Sequence, residues 1–450
     1  MAESTKNNQA KKIDTSAVEL VRREERRRRR KRNQVLAYLT LALLVILIVA
    51  GVVTAVILIG RKQPAKQEDN SSLSSEIEDL VGPEESLQKP EVSDTVPEPT
   101  PEENLDKIID AAIEVMPLED RVAGLFIVTP ESITGAGTAI QAGDGTKDAL
   151  NKWAVGGLVY FKKNIKSAEQ LKEMISNTLL YSKYPLFIAI DEEGGQVSRL
   201  AEAGLVENAG GAHEIGATAD PAQAYAAGQN IAGYLSEYGF NLDFAPVADV
   251  NNVDDSVIGE RSYGSDSAIV SSMVASMVQG LEENGVSSCL KHFPGIGSSV
   301  DDTHVGLAGT DRTAEQFRAE EFVAFQAGIE AGADFVMVSH MAAPAFTGDN
   351  TPCSMSHEVV TDILREELGF DGVIITDAMN MGAITEYYEA DEAAILALRA
   401  GCDMILMPED FEKAYEGVLQ AVRDGTISEE RINDALRRIY RIKYADKLVE

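Results

Sequence analysis

Beyond residue 105 the chain repeats one pattern eight times, a short apolar run followed by a longer amphipathic stretch. The runs are Leu125–Val128, Gly157–Phe161, Leu186–Asp191, Phe240–Pro246, Ser287–Phe293, Asp334–Val338, Gly372–Asp377 and Asp403–Met407. Runs this short and this continuously apolar suit strands buried on both faces of a parallel sheet. The stretches between them suit the helices that return the chain to the start of the next strand. Helical spacing is clearest over Ser167–Ser182, Ser265–Glu283, Ala314–Ala331 and Glu358–Leu368, the last closed by Gly369, where a helix end favours positive φ. Eight strand–helix units predict an α/β fold closed as a (β/α)8 barrel of the TIM type. The main alternative, an open doubly wound sheet, would be marked by a G-x-G-x-x-G turn after the first strand or by a P-loop, and the sequence has neither.

The segment ahead of the barrel divides into three parts. Residues 1–34 are basic, with Arg and Lys dense from Arg22 to Arg32. Residues 35–60 carry no charge, and about 20 apolar residues already cross a bilayer core. Residues 61–104 hold Pro64, Pro83, Pro90, Pro97, Pro99 and Pro101 among Glu, Asp and Ser, a composition that predicts an extended linker. The expected order is therefore a cytoplasmic basic segment, one transmembrane helix, a disordered stalk, and a single catalytic domain over 105–450. The excess of positive charge before the apolar run sets the N-terminus inside and the domain outside the cell membrane. A cleaved signal peptide fits less well, because the apolar run is too long for an h-region and no A-x-A site ends it.

Charge narrows the partners. The whole chain has a formal charge of -33, residues 1–62 hold 14 Lys/Arg against 5 Asp/Glu, and the remainder therefore carries -42. An acidic domain of this kind is unsuited to nucleic acid, whose phosphates demand clustered Lys and Arg. A neutral small ligand is the better expectation. Cys289, Cys353 and Cys402 are widely spaced, odd in number and set in apolar surroundings, so they read as buried small side chains without a disulfide framework or zinc pattern.

In a parallel barrel the reactive groups gather at the C-terminal ends of the strands. Five apolar runs end abruptly in polar residues: at Asp191, at Asp249, at Lys291 and His292, at His340, and at Asp377. Any one of these alone reads better as a strand-end cap or a hydrogen-bonded turn, but five together point to a site. Lys291, on so apolar a strand, is out of place as a surface lysine. Asp249 and His340 fit either a structural or a supporting role. Gly194, Gly195, Gly295 and Gly297 follow two of these ends and are expected to let backbone approach a ligand. His213 and His357 read as surface or turn residues, His357 following Ser356, which the sequence reads as the helix cap.

The motifs Ile190-Asp191-Glu192-Glu193-Gly194-Gly195-Gln196-Val197-Ser198-Arg199, Phe244-Ala245-Pro246-Val247-Ala248-Asp249-Val250 and Ile258-Gly259-Glu260-Arg261-Ser262-Tyr263-Gly264 occur in this order. They are followed by Lys291-His292-Phe293-Pro294-Gly295, Asp302-Thr303-His304 and Gly372-Val373-Ile374-Ile375-Thr376-Asp377. Together they resemble glycoside hydrolase family 3, and within it the β-N-acetylhexosaminidases, over residues 105 to 445. The resemblance implies a retaining double displacement with Asp377 as nucleophile, His304 as acid/base and Asp302 orienting that histidine. It implies substrate contacts from Asp191, Arg199, Arg261, Lys291 and His292, with no cofactor and no metal. Two positions depart from many relatives: Ile296 stands where they have a histidine, and Ala378 where they have a second acid. Neither is the proposed nucleophile or acid/base, so the departures bear on subsite preference.

The resemblance and the anchored location together imply a monomer acting on N-acetylglucosamine-containing glycans or muropeptides, as in peptidoglycan turnover. Within the family, another β-glycosidase or a β-N-acetylglucosaminide phosphorylase remains an alternative, and a neutral histidine as acid/base would repel an anionic acceptor less than a carboxylate. Outside it, a metal-dependent hydrolase could use His292, His304, His340, Asp191 and Asp377, but no H-x-H or H-E-x-x-H spacing supports one. A non-catalytic cell-wall sugar-binding protein would be expected to have lost Asp377 or the Asp302/His304 pair, and both are present.

Overall fold

The computed structural model describes residues 101–444 except 301, 304, 305 and 307. The basic segment, the apolar run 35–60, nearly all of the linker and His304 lie outside the described residues. Among those described, no helix is long and apolar enough to cross a membrane.

Eight parallel strands close into a barrel: β1 (Phe126–Val128), β2 (Gly157–Val159), β3 (Phe187–Ile190), β6 (Leu242–Asp243), β7 (Ser287–Phe293), β8 (Phe335–Val338), β9 (Val373–Ala378) and β10 (Met404–Leu406). Each lies within or against one of the eight runs read from the sequence, and each pairs with its neighbours in sequence order, β10 closing on β1. The register is set by apolar pairs such as Phe335 opposite Val373 and Met337 opposite Ile375. Nearly all these strand residues are buried, because the lumen is filled by side chains while helices cover the outside. Outside the barrel, β4 (Glu192–Gly194) and β5 (Val197–Ser198) form a small hairpin directly after β3, which the sequence reading did not anticipate.

The helices follow their caps. Ser167 accepts from the Gln170 amide at the start of Ala168–Tyr181, and Asp266 from the Ala268 amide at the start of Ser267–Glu282. The stretch expected as one helix over 314–331 is instead two, Ala314–Ala319 and Glu321–Glu330, broken at Glu320. Arg312 pairs with both Glu320 (2.6 Å) and the wholly buried Glu321 (3.0 Å), and turning Glu321 inward interrupts the helix. Glu358–Glu367 is wound as a π-helix, with the Leu368 amide bonded to the Ile363 carbonyl five residues back. Gly369 after it has φ +69°, as the sequence reading required.

The first described helix, Pro101–Val115, opens four residues ahead of the expected boundary at 105. It buries Leu105, Ile109 and Ile113 at fourfold spacing and packs on the C-terminal helix Glu429–Tyr444. Asp106 bonds Arg441 and Asp110 bonds Arg437 across that contact. The three cysteines are buried and free.

Candidate active site

The polar residues that end the strands gather where the fold predicts. A cleft of about 400 Å³, within the ~300–1,000 Å³ usual for small-molecule sites, is bordered by Asp191, Arg199, Arg261, Lys291, His292 and Asp377. Val159, Phe161, Phe244, Met337, Met381, Leu406 and Met407 supply its apolar walls. Six of the eight residues expected at the site thus border one cavity. Asp302 is described but stands exposed on the loop between β7 and β8, outside that lining. His304, two residues on, lies outside the described residues.

The cations of the cleft are held by carboxylates. Lys291 projects from β7 and places Nζ 2.7 Å from Asp191 Oδ1 and 2.7 Å from Glu193 Oε1. Arg261 grips Glu193 with two parallel bonds, Nε to Oε2 at 2.9 Å and Nη2 to Oε1 at 2.6 Å. Burial by itself would raise the pKa of Glu193, but Lys291 and Arg261 outweigh it and hold the carboxyl down at about 2. Burial would likewise lower Lys291, and Asp191 and Glu193 overcome it, so the ammonium is held above its ordinary value. The result is a rigid, charge-balanced row along one wall. Glu193 was quoted within a motif but not singled out from the sequence. The only signal was a charged residue set directly before Gly194-Gly195.

Its neighbour Glu192 faces the opposite way and is wholly buried. There it accepts from Ser198 Oγ (2.5 Å), the Leu200 amide (3.0 Å) and Tyr234 Oη (3.2 Å), and burial pushes its pKa up. Arg199 lies over the Phe161 ring and bonds Glu202 at 3.2 Å, while its Nε has no hydrogen-bond partner among the described residues.

The two residues left open by the sequence are both buried supports. Asp249 accepts from His292 Nδ1 at 2.8 Å and from the Ile296 amide at 2.7 Å. His340 contacts Ser354 Oγ through Nδ1 (2.8 Å) and the Ala378 carbonyl through Nε2 (3.1 Å), which fixes the backbone directly after Asp377. Asp377 Oδ1 itself accepts from the Ala378 amide at 2.7 Å. Asn380, three residues beyond Asp377, also borders the cleft and was not foreseen.

The loop after β7 is tied at both ends and once in the middle. The Gly297 carbonyl accepts from the Asn252 amide and the Ser299 carbonyl from the Val257 amide. Further on, the Ala308 carbonyl accepts from the Ala342 amide. Between these anchors the Thr303 carbonyl accepts from the Ala383 amide at 3.1 Å, docking Thr303 on the turn that follows Asp377. The expectation that glycines admit a ligand is corrected here. A Cβ at Gly194 would meet the Gly210 carbonyl, at Gly195 the Gly211 backbone, at Gly295 the Glu321 side chain and at Gly297 the Val250 carbonyl, so these glycines serve chain-to-chain packing.

Among the described residues no group of three or more His, Cys, Asp and Glu is arranged to hold a metal ion. Residues 118–442 match the family model for the glycosyl hydrolase family 3 N terminal domain. The chain belongs to glycosyl hydrolase family 3. Its family 3 domain is 36% identical over 306 residues to a β-hexosaminidase of Idiomarina loihiensis, a match covering 67% of this chain and 90% of that one. A β-hexosaminidase of Stenotrophomonas maltophilia is 35% identical over 291 residues, 63% of this chain and 85% of the relative. Among solved structures, a glycoside hydrolase family 3 β-N-acetylglucosaminidase from Paenibacillus sp. str. FPU-7 superposes with a TM-score of 0.69 at 32% identity. That match covers 75% of this chain and 64% of the Paenibacillus protein, so more than a third of the Paenibacillus protein lies outside it. Family membership makes the barrel a glycoside hydrolase.

Proposed function

We propose that this family 3 chain is a retaining β-N-acetylhexosaminidase that releases terminal β-linked N-acetylglucosamine through a covalent glycosyl-enzyme intermediate. The observation that carries this reading is the convergence of Asp377 with Asp191, Arg199, Arg261, Lys291 and His292 around one cleft. The relatives named β-hexosaminidase support the choice of sugar.

In the first step a carboxylate oxygen of Asp377 attacks the anomeric carbon. The bond to the leaving oxygen breaks, and His304 gives that oxygen its proton. In the second step His304 takes a proton from water as the water oxygen attacks the same carbon, and the ester to Asp377 breaks to release the sugar. Asp302 orients the His304 ring and stabilises its charged form. The docking of Thr303 on Ala383 supports this pairing, because it brings the loop that bears the dyad to the turn following the nucleophile. Lys291, Arg261, Arg199, Asp191 and His292 hold the sugar hydroxyls and the acetamido carbonyl.

Residues 35–60 form a single-pass membrane anchor with the N-terminus cytoplasmic, and the barrel acts outside on peptidoglycan fragments as a monomer. The charge asymmetry about the apolar run supports this placement. The test uses the full-length chain in detergent with p-nitrophenyl N-acetyl-β-glucosaminide and the matching glucoside, each with and without phosphate. Selective release from the N-acetyl substrate, independent of phosphate, abolished in Asp377→Ala and strongly slowed in His304→Ala, is expected. Full activity in Asp377→Ala, or no turnover of either sugar, would overturn the assignment. Phosphate-dependent release with a sugar phosphate as product would convert it to a phosphorylase. Muropeptide digestion and protease accessibility of the barrel in intact cells test the substrate source and the orientation.

A further inference from the structure

Asp249 is wholly buried, and both of its carboxylate oxygens are engaged. Oδ2 lies 2.8 Å from His292 Nδ1 and 3.2 Å from the His292 amide. Oδ1 accepts from the Ile296 amide at 2.7 Å and lies 3.3 Å from the His292 amide. A carboxylate can only accept, so the proton of the neutral ring sits on Nδ1 and Nε2 is the nitrogen left for the cleft that His292 borders. The other oxygen holds the opposite end of the same turn. Ile296 is where the chain leaves β7 for the loop bearing Asp302 and His304, and immediately after it the Gly297 and Ser299 carbonyls are tied down.

We propose that Asp249 is a positioning residue that sets two parts of the site at once, the tautomer and orientation of the substrate-contacting His292 and the starting point of the loop that carries the acid/base. The proposal rests on the roles given to His292 and His304 above. A merely structural aspartate would lower stability and leave the kinetic constants of the folded enzyme alone. A residue acting through His292 only would raise KM and do nothing further once His292 is gone. Asp249 acts through both arms, so it changes KM through the ring and kcat through the loop.

Asparagine is the informative replacement, because its single oxygen can serve either the Ile296 amide or the His292 ring while its amide must face the other. If the oxygen stays with Ile296, the ring must change tautomer and presents Nε2–H to the cleft. The experiment compares wild type, Asp249→Asn, His292→Ala and the double variant in the full-length chain, measuring kcat and KM on the aryl N-acetyl-β-glucosaminide together with thermal unfolding. Asp249→Asn should raise KM about tenfold, the loss of roughly one charge-assisted bond. It should lower kcat by up to about 100-fold, as a misplaced catalytic loop does. In the His292→Ala background the same substitution should leave KM unchanged and still lower kcat. Kinetic constants within twofold of wild type for folded Asp249→Asn would overturn the proposal, and a silent second substitution in the double variant would remove its loop arm. Nitrogen-15 NMR of histidine-labelled wild type, which has five histidines, tests the ring arm without any variant. Nδ1–H at His292 is expected, and Nε2–H would refute it. Failure of the glycosidase reading is separately visible, as an inactive wild type or an active Asp377→Ala.

Discussion

Glu193→Gln exchanges a buried carboxylate for its neutral isostere at the point where two cations meet. Oε1 accepts from both Lys291 Nζ and Arg261 Nη2, and Oε2 from Arg261 Nε. None of these groups can accept, so whichever way the new amide is turned it faces a donor. The environment holds the carboxyl at about 2 against an ordinary 4.5, and a shift of that size corresponds to roughly 3 kcal/mol in favour of the charged form. The side chain is only 5% exposed, so solvent does little to screen the loss. Spread over the unfolding entropy of roughly 340 residues, about 0.7 kcal/mol/K, this predicts a fall in Tm of roughly 4 °C at neutral pH. The sign follows from a depressed pKa: the contribution is full above the unfolded value and disappears as pH falls through about 2. Activity should suffer as well, because Lys291 and Arg261 both border the cleft and would lose their shared anchor. Glu192→Gln is the internal control. Its partners Ser198 and Tyr234 are hydroxyls that can turn to accept, leaving the amide oxygen for the Leu200 amide, and burial already opposes its charge. Scanning calorimetry and kcat/KM measured on both variants decide the matter. A Glu193→Gln enzyme within 1 °C and twofold of wild type, or a Glu192→Gln enzyme equally damaged, would refute the reasoning.

Three further outcomes are expected. Burial, with Asp334 nearby, pushes Glu282 up to about 8, and burial pushes Glu321 up to about 7 despite Arg312. Their charged forms are therefore disfavoured in the folded state, and Tm should rise as pH falls from about 8 toward 4.5. Glu282→Gln should flatten that rise by on the order of 2–4 kcal/mol in chemical denaturation, and an unchanged pH profile would count against it. Gly297→Ala would set a Cβ 1.8 Å from the Val250 carbonyl, whereas Gly145 has nothing within 4 Å. The first should displace the loop after β7 and lower kcat at least about tenfold, while Gly145→Ala stays near wild type in the same assay. Arg199→Ala should raise KM with little change in Tm, since among the described residues the guanidinium has a partly exposed Glu202 as its one ionic partner besides the Phe161 ring it lies over. Unchanged KM would remove Arg199 from the sugar contacts.

The barrel was legible because a strand buried on both faces must be apolar along its whole length, and eight such runs leave little choice of architecture. The mouth was legible for the converse reason, since Lys291 or Asp377 at the end of such a run has to be satisfied by something beyond the strand. What could not be read were features set by partners far apart in sequence. The break at Glu320 depends on Arg312 reaching a buried Glu321, and the π-winding of Glu358–Glu367, which buries Val359, Val360, Ile363 and Leu364, has no signal in the local sequence. The glycines were misread because a small residue beside a polar strand end says that something comes close without saying what. At Gly297 that something is the Val250 carbonyl.

Glu192 and Glu193 carry the same lesson further, because they are chemically identical and adjacent. The alternation of a strand sends one among hydroxyls and amides and the other between an ammonium and a guanidinium. Their carboxyls shift in opposite directions as a result. Asp249 occupies a third environment, with N–H groups of His292 and Ile296 on its oxygens and the charge of Arg261 acting on it. Each buried carboxylate thus fixes a different element: Glu192 the hairpin after β3, Glu193 the two cations, and Asp249 the end of β7. Transition-state complementarity in such a site comes from groups fixed before the substrate arrives, so substitutions at these buried acids should alter kinetics more than their distance from the sugar suggests.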